Sequence, residues 1–477
     1  MTAGTLAGAL AAVALFLGAG LGLTLCLRGL ERTGLAGRLA FAWLLGVAWI
    51  GLFLYTASHF AHAFLDGPLV FLAAALPLAA GLAVAVRRLA LRRWSPPAPS
   101  KALPPLWKAG WAGVALLALL VSAAVMANAL THPLEDWDGR MTWTAQAMFV
   151  REAGTVDAEV LRLPKSFVSH PRYPLLMPLA QVAALEATGS DDERIVRAVY
   201  AMFFPALVLL VLEAGRRWAG PRAALLTALV LLTIPWIPFD PEGGAAGAYS
   251  DLPLACFFGG GLLLLLRARP RASDGVAGGL LLAAALLTKN EGLPEVLIAL
   301  GLAVLIAGAA LIRRRRSGRP RLLAAALACA LCLGALALLV SWRSPIPNRY
   351  DESYFETFSI ASFARNMVSA RPFVTLPVIA RRMLSPRQWG LFWWLAPVLF
   401  LAAAPSFRRP PAALLAVAMA VPLLAAWAAY AQVEAAVYYA TVTWNRLLLQ
   451  GCVPLFGLLA LAVRKLLLTS PGRAGSR

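Results

Sequence analysis

Long apolar segments alternate with short polar ones along almost the whole chain. The apolar segments run for about 15 to 22 residues and are rich in Leu and Ala. A helix needs about 20 such residues to cross a hydrocarbon core of about 30 Å. Barrel strands would instead alternate apolar and polar positions over about 10 residues, which is not the pattern here. The chain is therefore predicted to be an all-α, polytopic helical membrane protein.

Basic residues lie between the apolar segments and set the predicted orientation. The basic loops are centred on Arg87, Arg216, Arg267, Arg313 to Arg316, Arg408 and Arg464. By the positive-inside rule these loops face the cytoplasm. The pattern then gives about 13 spans, with the N-terminus outside and the C-terminus inside, near 6–27, 40–60, 68–86, 110–130, 194–214, 222–238, 252–266, 276–288, 293–312, 322–342, 390–404, 412–430 and 447–463. The first segment is expected to be a retained span, because Arg28 follows rather than precedes it.

The acidic residues support this orientation independently, since the rule uses Lys and Arg alone. Of the 23 acids, all but Glu31, Glu213 and Asp274 fall outside or at an outer boundary. The net charge of +20 is thus concentrated in cytoplasmic loops, where it can meet anionic lipid. Nucleic acid is not an expected partner.

The acidic sequence Glu135-Asp136-Trp137-Asp138 is the first candidate for chemistry. It follows an apolar run of about 20 residues, where a helix leaves the membrane. Charged groups near a bilayer are costly and tend to mark substrate or ion sites. The other candidates on the same predicted side are His170 with Tyr173, Tyr249-Ser250-Asp251, Lys289 with Glu291, and Arg446. For each of them the alternative is a polar anchor at the membrane interface.

These residue types suit transfer of a group away from a phosphate. A carboxylate such as Asp138 can take a proton from a hydroxyl nucleophile, and Lys289 or Arg446 can stabilise a departing phosphate. Arg in addition offers a forked set of donors that matches phosphate oxygens. No Walker loop or GxGxxG fingerprint occurs at convincing spacing, which argues against a nucleotide-driven enzyme.

The order of these motifs resembles the C-type glycosyltransferases that use polyprenyl-phosphate sugars. An acidic first outer loop is followed by His-Pro-Arg-Tyr-Pro-Leu-Leu at 170–176, Tyr-Ser-Asp at 249–251 and Leu-Thr-Lys-Asn-Glu-Gly-Leu at 287–293. Within that family the pattern is most similar to the protein mannosyltransferase, aminoarabinose transferase and rhizobial core galacturonosyltransferase group. The resemblance covers roughly residues 110–312, with a weaker similarity at 443–450.

The resemblance implies a transferase that takes a sugar from a polyprenyl-phosphate donor and passes it to an acceptor outside the cytoplasm. The acceptor would be an envelope glycan, a lipid or a protein, and the enzyme would lie in a bacterial inner membrane with its active site facing outward. In the family the first-loop carboxylate is the base, which maps onto Asp138 or else Asp136. The Asp that opens a later span maps onto Asp251, and the Lys of the Leu-Thr-Lys motif maps onto Lys289. Arg172 departs from the commoner His-Pro-Pro sequence, so donor and acceptor identity do not carry over.

Together these observations predict a site with distinct roles for its residues. Asp138, or Asp136, is the predicted base, and Lys289 and Arg446 are predicted to bind the donor phosphate. The predicted supporting residues are Asp251, His170, Tyr173, Glu291 and Trp137. Metal dependence stays open, since Asp138 and Asp251 are suited to share a divalent ion or to act without one. The second hypothesis is a transporter or flippase of a lipid-linked sugar, which predicts polar residues at bilayer mid-depth and an internal repeat.

The chain is predicted to divide into four parts. They are an accessory bundle of three spans at 1–93, a cytoplasmic Pro-rich linker at 94–109, a catalytic module at 110–342 with the outer loop 131–193, and a second outer loop with the last spans at 343–477. The outer loop contains two apolar stretches, Met141 to Val150 and Leu175 to Leu185, that are too short to span. Both are predicted to be interfacial helices.

Overall fold

The computed structural model describes residues 2–91, 104–163, 168–313, 318–348, 359–406 and 410–469, and all regular structure in these residues is helical. The Pro-rich part of the predicted linker, the run Arg314 to Arg316 and the pair Arg408 and Arg409 lie outside the described residues. The prediction of an all-α, multi-pass membrane protein is confirmed.

The helices follow one another with short connections. The first eight are α1 (Ala3–Cys26), α2 (Leu35–Ala61), α3 (Gly67–Ala90), α4 (Pro105–Thr131), α5 (Ala145–Ala153), α6 (Glu159–Arg162), α7 (Leu176–Thr188) and α8 (Glu193–Ala201). The next seven are α9 (Phe203–Trp218), α10 (Pro221–Leu232), α11 (Trp236–Phe239), α12 (Asp251–Leu265), α13 (Ala272–Leu286), α14 (Gly292–Ile312) and α15 (Gly318–Arg343). The last seven are α16 (Ile360–Met367), α17 (Arg371–Met383), α18 (Pro386–Trp389), α19 (Phe392–Ala403), α20 (Pro410–Tyr430), α21 (Ala436–Gln450) and α22 (Cys452–Thr469).

A helix lies at every predicted span, but the count of 13 crossings is not confirmed. In the described part of the chain, 8 helices are long and apolar enough to cross a membrane, with α8 and α9 joined as one span of 26 residues. The pair α21 and α22, bent by 62° at Gly451, would make up to 9. The apolar helices α10, α12, α13 and α19 have only 12 to 15 residues. A straight crossing needs about 20.

Helix α12 lies at the centre of the protein and sets the position of the candidate site. All of its residues from Asp251 to Leu265 are buried, because α9, α13, α14, α21 and α22 surround it. A helix enclosed on all sides has no need of a polar face. The first residue of α12 therefore lies in the protein interior.

The three N-terminal helices share the hydrophobic core with the rest of the chain. Helix α1 packs closely on α2 and α3, and a Cβ atom at Gly20 would lie only 1.6 Å from the carbonyl oxygen of Ala42. Helix α1 also contacts α7 and α8, and α2 contacts α9. The accessory role of these helices, like the division into four parts, stays a prediction.

The outer loop 131–193 contains both of the short helices that the sequence predicts. The first begins as a π-helical turn, Gly139–Thr144, and continues as α5. The second is α7, which is buried from Leu176 to Leu185. Because α1, α2, α3, α5 and α8 surround it, α7 uses its apolar residues to pack against protein.

Candidate active site

The candidate site is centred on Asp251, whose side chain is 0% exposed. Its carboxylate accepts hydrogen bonds from Lys289 Nζ at 2.9 Å, Arg446 Nε at 2.8 Å and Gln450 Nε2 at 2.7 Å. A buried charge is strongly destabilising unless it is paired. Asp251 has two cations, and it also lies at the N-terminus of α12, where the helix dipole favours an anion.

The two cations that hold Asp251 also contact a second carboxylate each. Arg446 Nη2 lies 2.8 Å from Asp138 Oδ2, and Lys289 Nζ lies 3.1 Å from Glu291 Oε1. Charges therefore alternate along Asp138, Arg446, Asp251, Lys289 and Glu291, which we call the ion-pair chain. Its middle is buried, whereas the side chains of Asp138 and Glu291 at its two ends are 27% and 35% exposed. Water and ligands can thus reach both ends.

Helix α21 brings its polar residues to α12 from a distant part of the sequence. Arg446 and Gln450 are four residues apart and therefore lie on one face of α21. The aromatic ring of Tyr249 supports the Arg446 guanidinium, whose Cζ atom lies 4.5 Å from the ring centroid. Sequence reasoning missed Gln450, although its spacing from Arg446 is the signal that would have found it.

The acidic loop is held in place by Arg197, which sequence reasoning also missed. The Arg197 guanidinium donates hydrogen bonds to the carbonyl oxygens of His132 at 2.6 Å, Pro133 at 3.0 Å and Ala246 at 2.6 Å. Arg197 is only 6% exposed and lies in the otherwise apolar buried face of α8. A charged residue in such a face was the available signal. Arg197 thereby fixes the backbone that leads to Asp138.

Asp136 and Asp138 lie in different surroundings although they are two residues apart. Asp136 is buried, and its Oδ2 accepts a hydrogen bond from the backbone N–H of Ala248 at 3.2 Å. Burial raises the pKa of Asp136 to about 6, although backbone hydrogen bonds and the Arg197 charge act in the opposite direction. Trp137 between them is 66% exposed. Of the two candidate bases, Asp138 is the one in the ion-pair chain.

Lys289 keeps its positive charge at this site. Burial and the Arg446 charge lower the pKa of Lys289, but the Asp251 and Glu291 carboxylates outweigh them and hold it above its ordinary value. A second buried acid, Glu295, lies one turn into α14 near Glu291. Two permanent cations thus lie among several carboxylates.

His170 and Tyr173 form an aromatic stack in the outer loop. Their ring centroids are 4.6 Å apart, and the Tyr173 ring also stacks on Trp143 at 5.4 Å. Gln146 Nε2 donates to the carbonyl oxygen of His170 at 2.8 Å. The structure thus brings five predicted residues together in the ion-pair chain and places these two in a ring stack.

A divalent ion shared by Asp138 and Asp251 does not fit the observed arrangement. The Arg446 guanidinium bridges these two carboxylates, with contacts of 2.8 Å to each. Among the described residues, no group of three or more His, Cys, Asp or Glu side chains is placed to hold a metal ion. In this arrangement a guanidinium occupies the place that an ion shared by the two carboxylates would take.

No family model and no curated protein matches the chain. Similar solved structures are ArnT from Cupriavidus metallidurans bound to undecaprenyl phosphate (18% identity, TM-score 0.47, covering 73% of this chain and 60% of that chain) and the same protein in the apo state (19%, 0.47, 74% and 59%). Another is the archaeal oligosaccharyltransferase AglB from Archaeoglobus fulgidus in complex with an inhibitory peptide and a dolichol-phosphate (13%, 0.41, 72% and 50%). The chain thus spans about 60% of the length of ArnT, an aminoarabinose transferase. At identities of 13 to 19%, function has to be argued from the site itself.

Proposed function

We propose that the protein is a membrane glycosyltransferase that moves a sugar from a polyprenyl-phosphate donor to an acceptor outside the cytoplasm. The acceptor is an envelope glycan, a lipid or a protein, and the membrane is the bacterial inner membrane with the site facing outward. The observation that carries the proposal is the ion-pair chain, in which Asp251 holds buried Lys289 and largely buried Arg446, and Arg446 contacts the partly exposed carboxylate of Asp138. A base next to a phosphate-binding pair of cations is what this reaction needs.

Asp138 is the proposed base because it lies at an exposed end of the ion-pair chain. An acceptor hydroxyl can approach its carboxylate from solvent, since the side chain is 27% exposed. Asp138 would take the hydroxyl proton as the oxygen attacks the anomeric carbon of the donor. Attack from the face opposite the phosphate inverts the anomeric centre.

Arg446 and Lys289 are the proposed ligands of the donor phosphate. Asp251 holds both cations through its two oxygens, so it acts as a positioning residue. Arg446 can exchange one partner for another, because its guanidinium presents several donors in a fixed fork. We propose that the donor phosphate replaces Asp138 as the partner of Arg446. Phosphate binding would then release the Asp138 carboxylate at the moment a base is needed.

A direct transfer assay tests this proposal. Purified protein in nanodiscs receives a labelled polyprenyl-phosphate sugar and candidate acceptors, and released polyprenyl phosphate is measured. Asp138→Asn keeps the shape of the side chain and removes the base, so the rate should fall by about 10²- to 10⁴-fold. Asp136→Asn should have a smaller effect, and exposed Glu135→Gln is the matched control in the same loop.

Two results would contradict the proposal. Wild-type turnover by the Asp138 variant would remove this residue from the mechanism. Movement of intact donor across a vesicle membrane, without cleavage in the presence of a proven acceptor, would favour the flippase hypothesis instead.

A further inference from the structure

Three polar side chains from separate parts of the chain meet near the ends of two spanning helices. His59 lies in the last turn of α2, Asp157 lies between α5 and α6, and Ser341 lies in the last turn of α15. His59 Nδ1 is 3.1 Å from Asp157 Oδ2 and 3.2 Å from Oδ1. His59 Nε2 is 2.9 Å from Ser341 Oγ. The imidazole therefore lies between a carboxylate and a hydroxyl.

The carboxylate determines the direction of both hydrogen bonds. An ionised carboxylate only accepts, so Nδ1 of the neutral His59 ring must carry the proton. Its Nε2 then has a free lone pair, and the Ser341 hydroxyl must donate to it. A hydroxyl that donates to an imidazole oriented by a carboxylate is the arrangement that activates serine nucleophiles.

The hydroxyl of Ser341 behaves differently from most hydroxyls in the helices of this protein. Thr56, Thr131 and Thr441 each donate to the carbonyl oxygen four residues earlier, at 2.7 to 2.8 Å. Such a local bond is the usual choice for a hydroxyl within a helix. Ser341 instead lies at hydrogen-bond distance from the His59 ring.

Buried contacts hold the three elements rigidly together. Trp342 Nε1 donates to the carbonyl oxygen of Val156 at 2.8 Å, and the backbone N–H of Val156 donates to Ser58 Oγ at 3.1 Å. The Trp342 ring packs edge-on against Tyr55, with a centroid separation of 5.8 Å. On the exposed side, Arg162 Nη2 donates a charge-assisted hydrogen bond to Asp157 Oδ1 at 2.8 Å. The geometry of the three side chains is thus preorganised.

Ser341 also faces the region where lipid esters lie. It is exposed at the end of a spanning helix, beside Val340, which is 59% exposed. Phe60 and Phe64, next to His59 and just beyond the end of α2, are 58% and 63% exposed. Exposed apolar side chains near the ends of spanning helices meet the boundary between hydrocarbon and headgroups. The ester carbonyls of glycerolipids lie at this boundary.

We propose that Ser341, His59 and Asp157 form a nucleophilic triad that cleaves acyl esters of membrane lipids. Ser341 Oγ attacks the ester carbonyl carbon while its proton passes to His59 Nε2. The bond to the lipid alcohol breaks, and the alcohol takes that proton. Water then attacks the acyl-serine in the same way, releasing a fatty acid and restoring Ser341. Asp157 stays ionised and stabilises the imidazolium that forms in each step.

Labelling with a fluorophosphonate probe tests whether Ser341 is a nucleophile. The full-length protein in nanodiscs should react with the probe, and peptide mass spectrometry should place the label on Ser341. Ser341→Ala should abolish labelling, and His59→Gln should slow it by about 10²-fold or more because the base is lost. Ser344→Ala is the matched control, because Ser344 is exposed one turn later on the same chain segment. Asp157→Asn should also slow labelling without changing the thermal midpoint, which separates chemistry from folding.

A second measurement tests the substrate class. Vesicles of phosphatidylglycerol with a radiolabelled acyl chain should release fatty acid with wild-type protein and not with Ser341→Ala. Labelling no higher than that of Ser341→Ala, or labelling unaffected by His59→Gln, would overturn the proposal. Absence of fatty-acid release by protein that does label at Ser341 would also overturn it. None of these results depends on glycosyl transfer.

Discussion

Two buried acids at the starts of neighbouring helices, Asp251 of α12 and Asp274 of α13, satisfy their charge in different ways. Both side chains are 0% exposed. Asp274 pairs with Arg267, seven residues earlier, and accepts a hydrogen bond from the backbone N–H of Arg271 at 2.7 Å. The partners of Asp251 instead lie 38, 195 and 199 residues away in sequence.

This difference in partners indicates different roles. The pair around Asp274 stabilises the end of a helix, whereas the pairs around Asp251 can act on a ligand. Arg267 Nη1 also donates to the carbonyl oxygen of Gly29 at 2.5 Å. Both side chains of the pair are buried, so the ion pair around Asp274 is enclosed by protein. The cations of Asp251 each extend to a partly exposed carboxylate, Asp138 or Glu291. A cation whose second partner is accessible can exchange that partner for a phosphate. We therefore expect substitutions at the two acids to affect different properties.

The largest expected effect is on stability, at Asp274. Asp274→Asn leaves Arg267 buried without its counter-charge, which should lower the free energy of unfolding by about 3–5 kcal/mol. Denaturant unfolding in detergent measures this, and transfer activity per folded molecule should stay at the wild-type level. Exposed Arg269→Gln is the control, with an expected change within about 0.5 kcal/mol. If the Asp274 variant folds well but loses transfer activity, the two acids do not differ in function as we expect.

The next effect is on donor binding, at the cations of Asp251. Arg446→Met and Lys289→Met should each remove about 1.5–3 kcal/mol of charge-assisted contact, or about 10- to 150-fold in donor affinity. Arg446→Lys should recover only part of this, because an ammonium lacks the fork that reaches Asp251 and Asp138 together.

Binding of polyprenyl phosphate without a sugar isolates this contribution. The loss should be the same for the sugar-free ligand as for the complete donor, since the contact is to phosphate. Arg365→Met, an exposed cation on α16, serves as the control and should bind normally. A loss of affinity that depends on the identity of the sugar would show that these cations contact the sugar rather than the phosphate.

The smallest effect extends the comparison to Asp136, a buried acid held by backbone N–H groups. Its pKa in the folded protein is raised to about 6 from the ordinary value of 3.8, so folding favours the protonated form. This contribution to stability is complete below pH 3.8 and is lost as the pH rises through about 6. Between pH 5 and pH 7 it should amount to about 1 kcal/mol.

Thermal inactivation midpoints at pH 5 and pH 7 measure this effect. Asp136→Asn should remove this part of the pH dependence, because the amide does not titrate. Exposed Glu135→Gln is the neighbouring control and should leave the pH dependence unchanged. An unchanged pH dependence in the Asp136 variant would show that its carboxylate does not titrate in this range.

The sequence by itself determined the helical membrane architecture and identified every member of the ion-pair chain. Apolar runs are a local property, so the position of every long helix could be predicted from them. Asp138, Asp251, Lys289, Glu291 and Arg446 could be selected because charges are rare and costly beside such runs. Charge segregation between loops then placed these residues on one predicted side of the membrane.

Only the tertiary structure decided how these charges are paired. Whether Arg446 serves a ligand or another side chain depends on contacts between residues almost 200 positions apart, for which the local sequence carries no signal. The burial of Asp136 and the clamp made by Arg197 depend likewise on helices that meet only in the folded protein. The number of crossings was also not decided by the sequence, because burial within protein lets an apolar helix stop at 12 to 15 residues. Hydrophobic patterning fixes which segments enter the membrane, whereas charge pairing and burial are set by the packing of distant helices.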